Sequence, residues 1–292
     1  MADAPAAGHP WWPLLRTVWQ RLWRYRLRSL LAVACAALGV AGAITAVNYA
    51  SGGRSQILTQ IRRLGTNLVI VSAEQSRAVA GRARTGDIVT TLVAADYAAV
   101  RAALPAVVRS SALVWQDLRL KAGFLSKVAR VMGAEPAWFP MKAWEFTAGG
   151  PFDAEAMRRS ARVAVLGARV ARDLYEQQDP VGQRLFINRI PFEVVGVLAE
   201  RGPGLDGSDE DSQVIVPLTT AMRRVLNRDH YHALLLELDE PARVEPAVAA
   251  TRALLRVRHR SSAKRPDDFR VQSQSDLVAT QQAAADRLTF LV

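Results

Sequence analysis

Asn67-Leu-Val-Ile-Val-Ser72 is a β-branched run that reads as a strand, and it begins an order of segments from which the rest of the chain can be divided. Residues 73–91 are polar and glycine-bearing and read as a loop. Val93, Tyr97, Val100 and Leu104 then share one helical face, and Pro105 stops that helix. Residues 107–114 return as a strand and complete a β-α-β unit. A second unit comes late in the chain: ALLLEL at 233–238 as a strand, a helix over about 246–258, and FRVQ at 269–272 as a strand. Two such halves predict a split β-α-β layer of four strands with two helices on one face.

The segment between them, 115–232, is long enough to be an inserted subdomain and is rich in short strands. RVAVL at 162–166 is one, followed at Gly167 by a helix with Val170 and Leu174 on a common face. Asp179-Pro180-Val181-Gly182 is a turn sequence, since proline fixes φ and glycine accepts conformations that other residues resist. Strands at 184–187 and 192–198 flank Asn188-Arg189-Ile190-Pro191 as a hairpin, and 213–217 adds a further strand. The fold class is α+β.

Toward the N-terminus, LLAVACAALGVAGAITAV at 30–47 carries no charge. Eighteen such residues at about 1.5 Å each give roughly 27 Å, close to the thickness of a hydrocarbon core. Arg16, Arg21, Arg24, Arg26 and Arg28 precede it with no acid after Asp3, which predicts a cytoplasmic N-terminus. Four of the seven tryptophans lie in the same stretch, as Trp11, Trp12, Trp19 and Trp23, and predict a helix lying in the headgroup layer. A secretory signal peptide is the competing reading, against which stand the length and tryptophan content of the basic region. Cys35, Gly39 and Ala43 repeat every four residues and form a small-residue stripe against which another membrane helix can pack closely.

The net charge of +11 invites a nucleic-acid reading, but removing the first 28 residues leaves 33 basic and 26 acidic residues, or +7, spread over the remainder. A basic excess split across a membrane span disfavours nucleic acid as a partner. The late group Arg252, Arg256, Arg258, Arg260, Lys264 and Arg265 reads as a solvated helix face, with contact to anionic headgroups as the second reading. A single cysteine excludes an internal disulfide and any zinc site needing two thiolates. There is no G-x-x-x-x-G-K-[ST], H-E-x-x-H or G-x-S-x-G, so the sequence offers no nucleotide-hydrolysing or other catalytic site and calls for no cofactor. His230 and His232 would share a strand face but lack a completing ligand. Asp206, Asp209, Glu210 and Asp211 lack the spacing of a calcium loop and read as solvated. Gly167, between a strand and a helix, stands where a phosphate could bind, on the evidence of one glycine.

The order of segments resembles the permease of MacB-type ABC transporters, with the periplasmic core domain that family shares with lipoprotein-releasing permeases. The likeness rests on Arg24-Tyr-Arg-Leu-Arg28 entering the span, Leu64-Gly65-Thr66-Asn67-Leu68 after it, and Val131-Met-Gly-Ala-Glu-Pro-Ala-Trp-Phe139. Its most specific block is Val163-Ala-Val-Leu-Gly167, Asp179-Pro-Val-Gly-Gln183, Pro191-Phe-Glu-Val-Val-Gly-Val197 and Val214-Ile-Val-Pro-Leu218. The resemblance implies an interfacial helix at 1–28, a membrane helix at 29–50, a stalk at 51–66 and a periplasmic core at 67–274. That core would hold porter-like halves at 67–114 and 233–274 around the insertion at 115–232. Residues 275–292 would lead back toward the membrane, into a second span that the chain only begins. It further implies an inner-membrane subunit without chemistry of its own, serving export or extraction of a substrate. The implied partners are a cytoplasmic ABC ATPase, a second permease copy, a periplasmic adaptor and an outer-membrane channel. The alternative is a single-pass anchored periplasmic binding or sensor domain.

Overall fold

A computed structural model of the chain describes residues 27, 30, 31, 34–41, 67–73, 78, 79, 82, 83, 91–202, 204, 209–262 and 267–276. The chain separates into two units, Met1–Ile57 and Leu58–Val292. In the first, residues 27, 30, 31 and 34–41 are helical. Among the described residues no helix is long and apolar enough to cross a membrane. The rest of the predicted span, the interfacial helix apart from Leu27, the stalk, and residues 277–292 lie outside the described residues.

The second unit is a mixed α and β domain. Strand β1 (Leu68–Ala73) leads through helix α1 (Ala94–Ala103) to the long strand β2 (Val107–Ala122). Late in the chain, β9 (Ala233–Leu238) leads through α3 (Val244–Arg258) to β10 (Phe269–Ser273). These four strands lie in the order β10-β1-β9-β2, every neighbouring pair antiparallel. Tyr97, Val100 and Leu104 from the first connection, with Val244, Ala247, Val248 and Leu255 of α3, cover Val69, Val71, Leu234 and Leu236. Alternation along the strands places these apolar residues on one face, and each fully buried leucine contributes roughly 2 kcal/mol.

Between the two halves come β3 (Leu125–Ala134), β4 (Phe146–Gly149), β5 (Val163–Leu166), α2 (Ala168–Tyr175), β6 (Arg184–Ile187), β7 (Ile190–Leu198) and β8 (Gln213–Pro217). Their pairings continue from β2 as β3, β8, β5 and β7, while β6 pairs with both β7 and β2. Six strands thus close into a ring, with Leu120 opposite Ile187 completing it. Closure leaves these six strands without an open edge, while β4 pairs only with β7 beside the ring. Leu120, Val131, Leu185, Ile187, Phe192 and Val194 are buried on the inner side. A separate buried cluster, including Trp138, Phe139, Trp144, Phe152 and Ile215, fills the opposite side of the shared sheet.

Strand β2 does not end near residue 114, where a strand was predicted to stop. It pairs with β9 through Leu113 and with β3 from Val114 onward, so one backbone runs from the four-stranded layer into the ring.

Of the late basic run, Arg252, Arg256 and Arg258 on α3 and Arg260 just past it are exposed, as expected, and three of them also have partners; Lys264 and Arg265 lie outside the described residues. Arg252 donates to the Val271 carbonyl, Arg256 pairs with Asp267, and Arg258 lies 2.6 Å from Asp96. Asp96 is buried, accepts the Val93 N–H at 3.1 Å and lies 3.3 Å from His259 Nε2. Burial alone would raise its pKa, but Arg258, the Val93 N–H and His259 outweigh it and hold the carboxyl below 3.8. A lowered carboxylate stabilises the fold above its unfolded value of 3.8, and the contribution is lost as pH falls through the lower folded value. Asp96→Asn should therefore cost about 2 kcal/mol at neutral pH, less than a fully buried pair because Arg258 keeps part of its side chain in water. Urea unfolding of both chains across pH should show that difference shrinking in acid.

Candidate functional site

Where β2 passes from the layer to the ring, its backbone changes partners, and polar side chains gather around the change. The His232 N–H donates to the Leu113 carbonyl at 2.8 Å, and the Trp115 N–H donates to His232 Nδ1 at 3.1 Å. The imidazole stacks on Trp115 with ring centroids 4.6 Å apart, and its Nε2 lies 3.2 Å from Arg228, which also donates to Gln116. An Nδ1 that accepts a backbone hydrogen must be unprotonated. Burial, then Arg228 and His230, pull the His232 pKa from 6.5 down to about 4.

On the helix side of the same strand, Tyr97 of α1 reaches across to the far end of β3. Its hydroxyl lies 2.8 Å from Ser110 Oγ and donates to Glu135 at 3.1 Å. The Glu135 N–H donates to Ser111 Oγ at 3.1 Å, and Tyr231 meets Tyr97 edge to face at 6.1 Å. Burial raises the Glu135 carboxyl, and burial together with Glu135 raises Tyr231. Tyr97 is raised as well, chiefly by burial. The arrangement fastens α1, β2 and the end of β3 together through side-chain hydrogen bonds. It joins one helix to two strands, with the hydroxyl and carboxyl groups serving as one another's partners.

The positions weighed for ligands have other uses. Gly167 stands at the start of α2, where the Arg169 N–H donates to the Asp211 carbonyl at 3.1 Å. A Cβ on Gly167 would come within 2.4 Å of that oxygen, so main chain occupies the place a phosphate would take. Asp211 is buried rather than solvated, its carboxylate accepting the N–H groups of Arg201 and Gly202. His230 and His232 lie near each other, but an arginine faces the Nε2 of His232 and repels a cation. Among the described residues no group of three or more His, Cys, Asp and Glu is arranged to hold a metal.

Residues 29–254 match the family model described as MacB-like periplasmic core domain. The chain belongs to this family. It is 30% identical over 266 residues to the macrolide export ATP-binding/permease protein MacB of Rhodospirillum rubrum, covering 91% of this chain and 39% of that one. The pyoverdine export ATP-binding/permease protein PvdT of Pseudomonas entomophila is 26% identical over 280 residues, covering 95% of this chain and 41% of its own length. The chain thus spans about two fifths of the length of the curated relatives it matches. The periplasmic region of MacB from Actinobacillus actinomycetemcomitans shares the fold, with a TM-score of 0.63 at 18% identity over 77% of this chain and 97% of that one. So does the extracellular domain of the ABC-type transporter YknZ from Gram-positive bacteria, with a TM-score of 0.57 at 14% identity over 71% and 100%.

Of the predicted membrane stripe, Cys35 and Gly39 are described, both helical and exposed, and nothing within 4 Å would meet a Cβ on Gly39. Ala43 lies outside the described residues. The junction around β2 was not singled out from the sequence. The sequence places Tyr97 only on an apolar helix face, and no local pattern brings it to Glu135. A histidine whose folded pKa lies below its unfolded one resists protonation in the fold, so stability is full above 6.5 and falls as pH drops toward about 4. Unfolding free energy measured by tryptophan fluorescence should decline across that window by at most ~1.4 kcal/mol per pH unit. His232→Gln, which keeps an acceptor but does not titrate, should flatten it.

Proposed function

We propose that this chain is the membrane-anchored, periplasmic part of an ABC-type export permease, set in the inner membrane with its N-terminus in the cytoplasm. The observation that carries the reading is the family match over 29–254, most of the chain, joined to a domain of the same fold as the periplasmic region of a MacB protein. The names of the relatives combine ATP-binding and permease roles. This sequence has no P-loop spacing, so we assign it the permease role and place ATP hydrolysis in a cytoplasmic ABC ATPase. A second permease copy, and a periplasmic adaptor with an outer-membrane channel, complete the assembly we envisage.

In this reading 29–50 forms a membrane helix and 51–66 a stalk. The strand order β10-β1-β9-β2 supports a porter-like layer made by 67–114 and 233–274, and the closed ring supports an inserted subdomain at 115–232. Movement of the membrane helices would reach the layer first. Because β2 is continuous and the Tyr97–Glu135 contact ties α1 to β3, displacement of the layer is carried into the ring.

Two measurements test this. Alkaline phosphatase, active only outside the cytoplasm, should be active when fused after residue 66 and inactive when fused after residue 28; the reverse pattern would sink the assignment. Gly39→Leu, which fills the small-residue stripe, should reduce co-purification of two differently tagged copies at least about tenfold, a loss of roughly 1.4 kcal/mol. Unchanged recovery would remove the stripe from the assembly.

A further inference from the structure

The outer wall of the ring carries a surface that the permease reading does not use. Strands β2 and β3 meet in a two-residue turn, Gly123-Phe124, with Gly123 at φ +54°, and Phe124 at its tip is fully exposed. A positive φ at the first central position suits a tight hairpin turn and holds the aromatic ring outward on a rigid support. Just behind the tip, the cross-strand pairs Lys121 with Ser126 and Arg119 with Val128 face outward, and Phe186 of β6 stands beside Lys121. Val128 is 62% exposed and Phe186 37%. Arg184 lies on the same outward side of β6, and Arg189 in the adjoining turn.

Arg119, Lys121, Arg184 and Arg189 have no ion-pair partner among the described residues. The acids on this side are Asp117, paired with Arg130 at 4.0 Å, and Glu193, opposite Arg184. Exposed apolar side chains set among unpaired cations on this strand surface have the composition of a protein-binding site: an aromatic anchor with a charged surround. A second copy of the same face would bring cation against cation, so a self-complementary dimer through it is disfavoured. A lipid surface would be met at the tip, whereas Val128 and Phe186 lie back along the wall, Val128 about 10 Å from the turn.

We propose that the outer face of β3, β2 and β6 docks a protein partner that offers carboxylates around an apolar pocket for Phe124. The inference adds the chemistry of a partner to the permease reading, yet stands on the face itself, so its failure leaves the membrane topology and ATPase assignments where they were.

The test is photocrosslinking of the full chain in its native membrane, with p-benzoylphenylalanine in place of Phe124 and, as a control, in place of the exposed Val257 on α3. The expected result is a protein adduct from position 124 and not from 257, its crosslinked peptide richer in Asp and Glu than in Lys and Arg. The adduct should fall at least about tenfold in the Arg119→Glu, Lys121→Glu double variant. It should also weaken as salt is raised on the unreversed chain, a readout independent of how the variant folds. No protein adduct, an adduct to a neutral or basic segment, or one indifferent to both charge reversal and salt would overturn the proposal. Lipid adducts together with binding of the chain to phosphatidylglycerol vesicles would overturn it in favour of membrane contact.

Discussion

Strand β2 has to satisfy two sets of neighbours along a single backbone, and the architecture of the domain depends on how that is done. Over its first half it is hydrogen-bonded to β9 within the four-stranded layer, and over its second half to β3 and β6 within the ring. A linker would have let the two parts move independently. A continuous strand does not, because bending it would break ladder bonds on both sides. At the change of partner the backbone group left over, the Trp115 N–H, is taken by a neutral histidine ring, while Tyr97, Ser110, Ser111 and Glu135 connect the other side. Polar side chains therefore gather where the two parts of the domain meet. Leaving such groups unpaired would cost about 1–3 kcal/mol each, so the junction favours one relative placement of layer and ring.

What the sequence made legible follows from the range of the interactions involved. Local periodicity located β1, α1, β9, α3 and β8 nearly to the residue, since alternation and helical spacing are written within a few positions of each other. The hairpin around Asn188-Arg189-Ile190-Pro191 is equally legible, though its turn is only Asn188-Arg189, because Ile190 and Pro191 already pair with Ile187 and Phe186. Ring closure is not, since it depends on Leu120 meeting Ile187, far apart in the chain, and neither residue signals the other. The extra length of β2 is in fact written locally, since Asp117, Arg119 and Lys121 alternate with Leu118, Leu120 and Ala122; only the polar pair Gln116-Asp117 separates this pattern from the apolar run before it. Asp211 was read as solvated because it sits in an acidic, glycine-bearing loop; only the folded chain shows its carboxylate taking two N–H groups.

The positive charge is likewise distributed in ways that composition does not reveal. Part of it holds the fold together: Arg258 meets buried Asp96, Arg256 meets Asp267, and Arg201 donates to main-chain carbonyls while its guanidinium lies 3.9 Å above Trp144. Part of it remains unpaired on the outer wall of the ring. The first kind stabilises at short range and is weakly sensitive to salt, whereas the second acts on approaching molecules and is screened over a distance of about 10 Å. A single net charge would have merged the two.

The adjacency of β1 and β10 has a mechanical consequence. Val69, near the start of the domain, pairs with Ser273, near its end, in an antiparallel ladder. The segments before and after the domain therefore join it at neighbouring points, about 5 Å apart. Pulled in the same direction, they load the sheet as one body. Pulled apart, they peel β10 from β1 one rung at a time, the mode in which a strand pair resists least because its hydrogen bonds bear the load singly. Tension that draws the two flanking segments apart therefore meets its first resistance in the outermost rungs of that one strand pair.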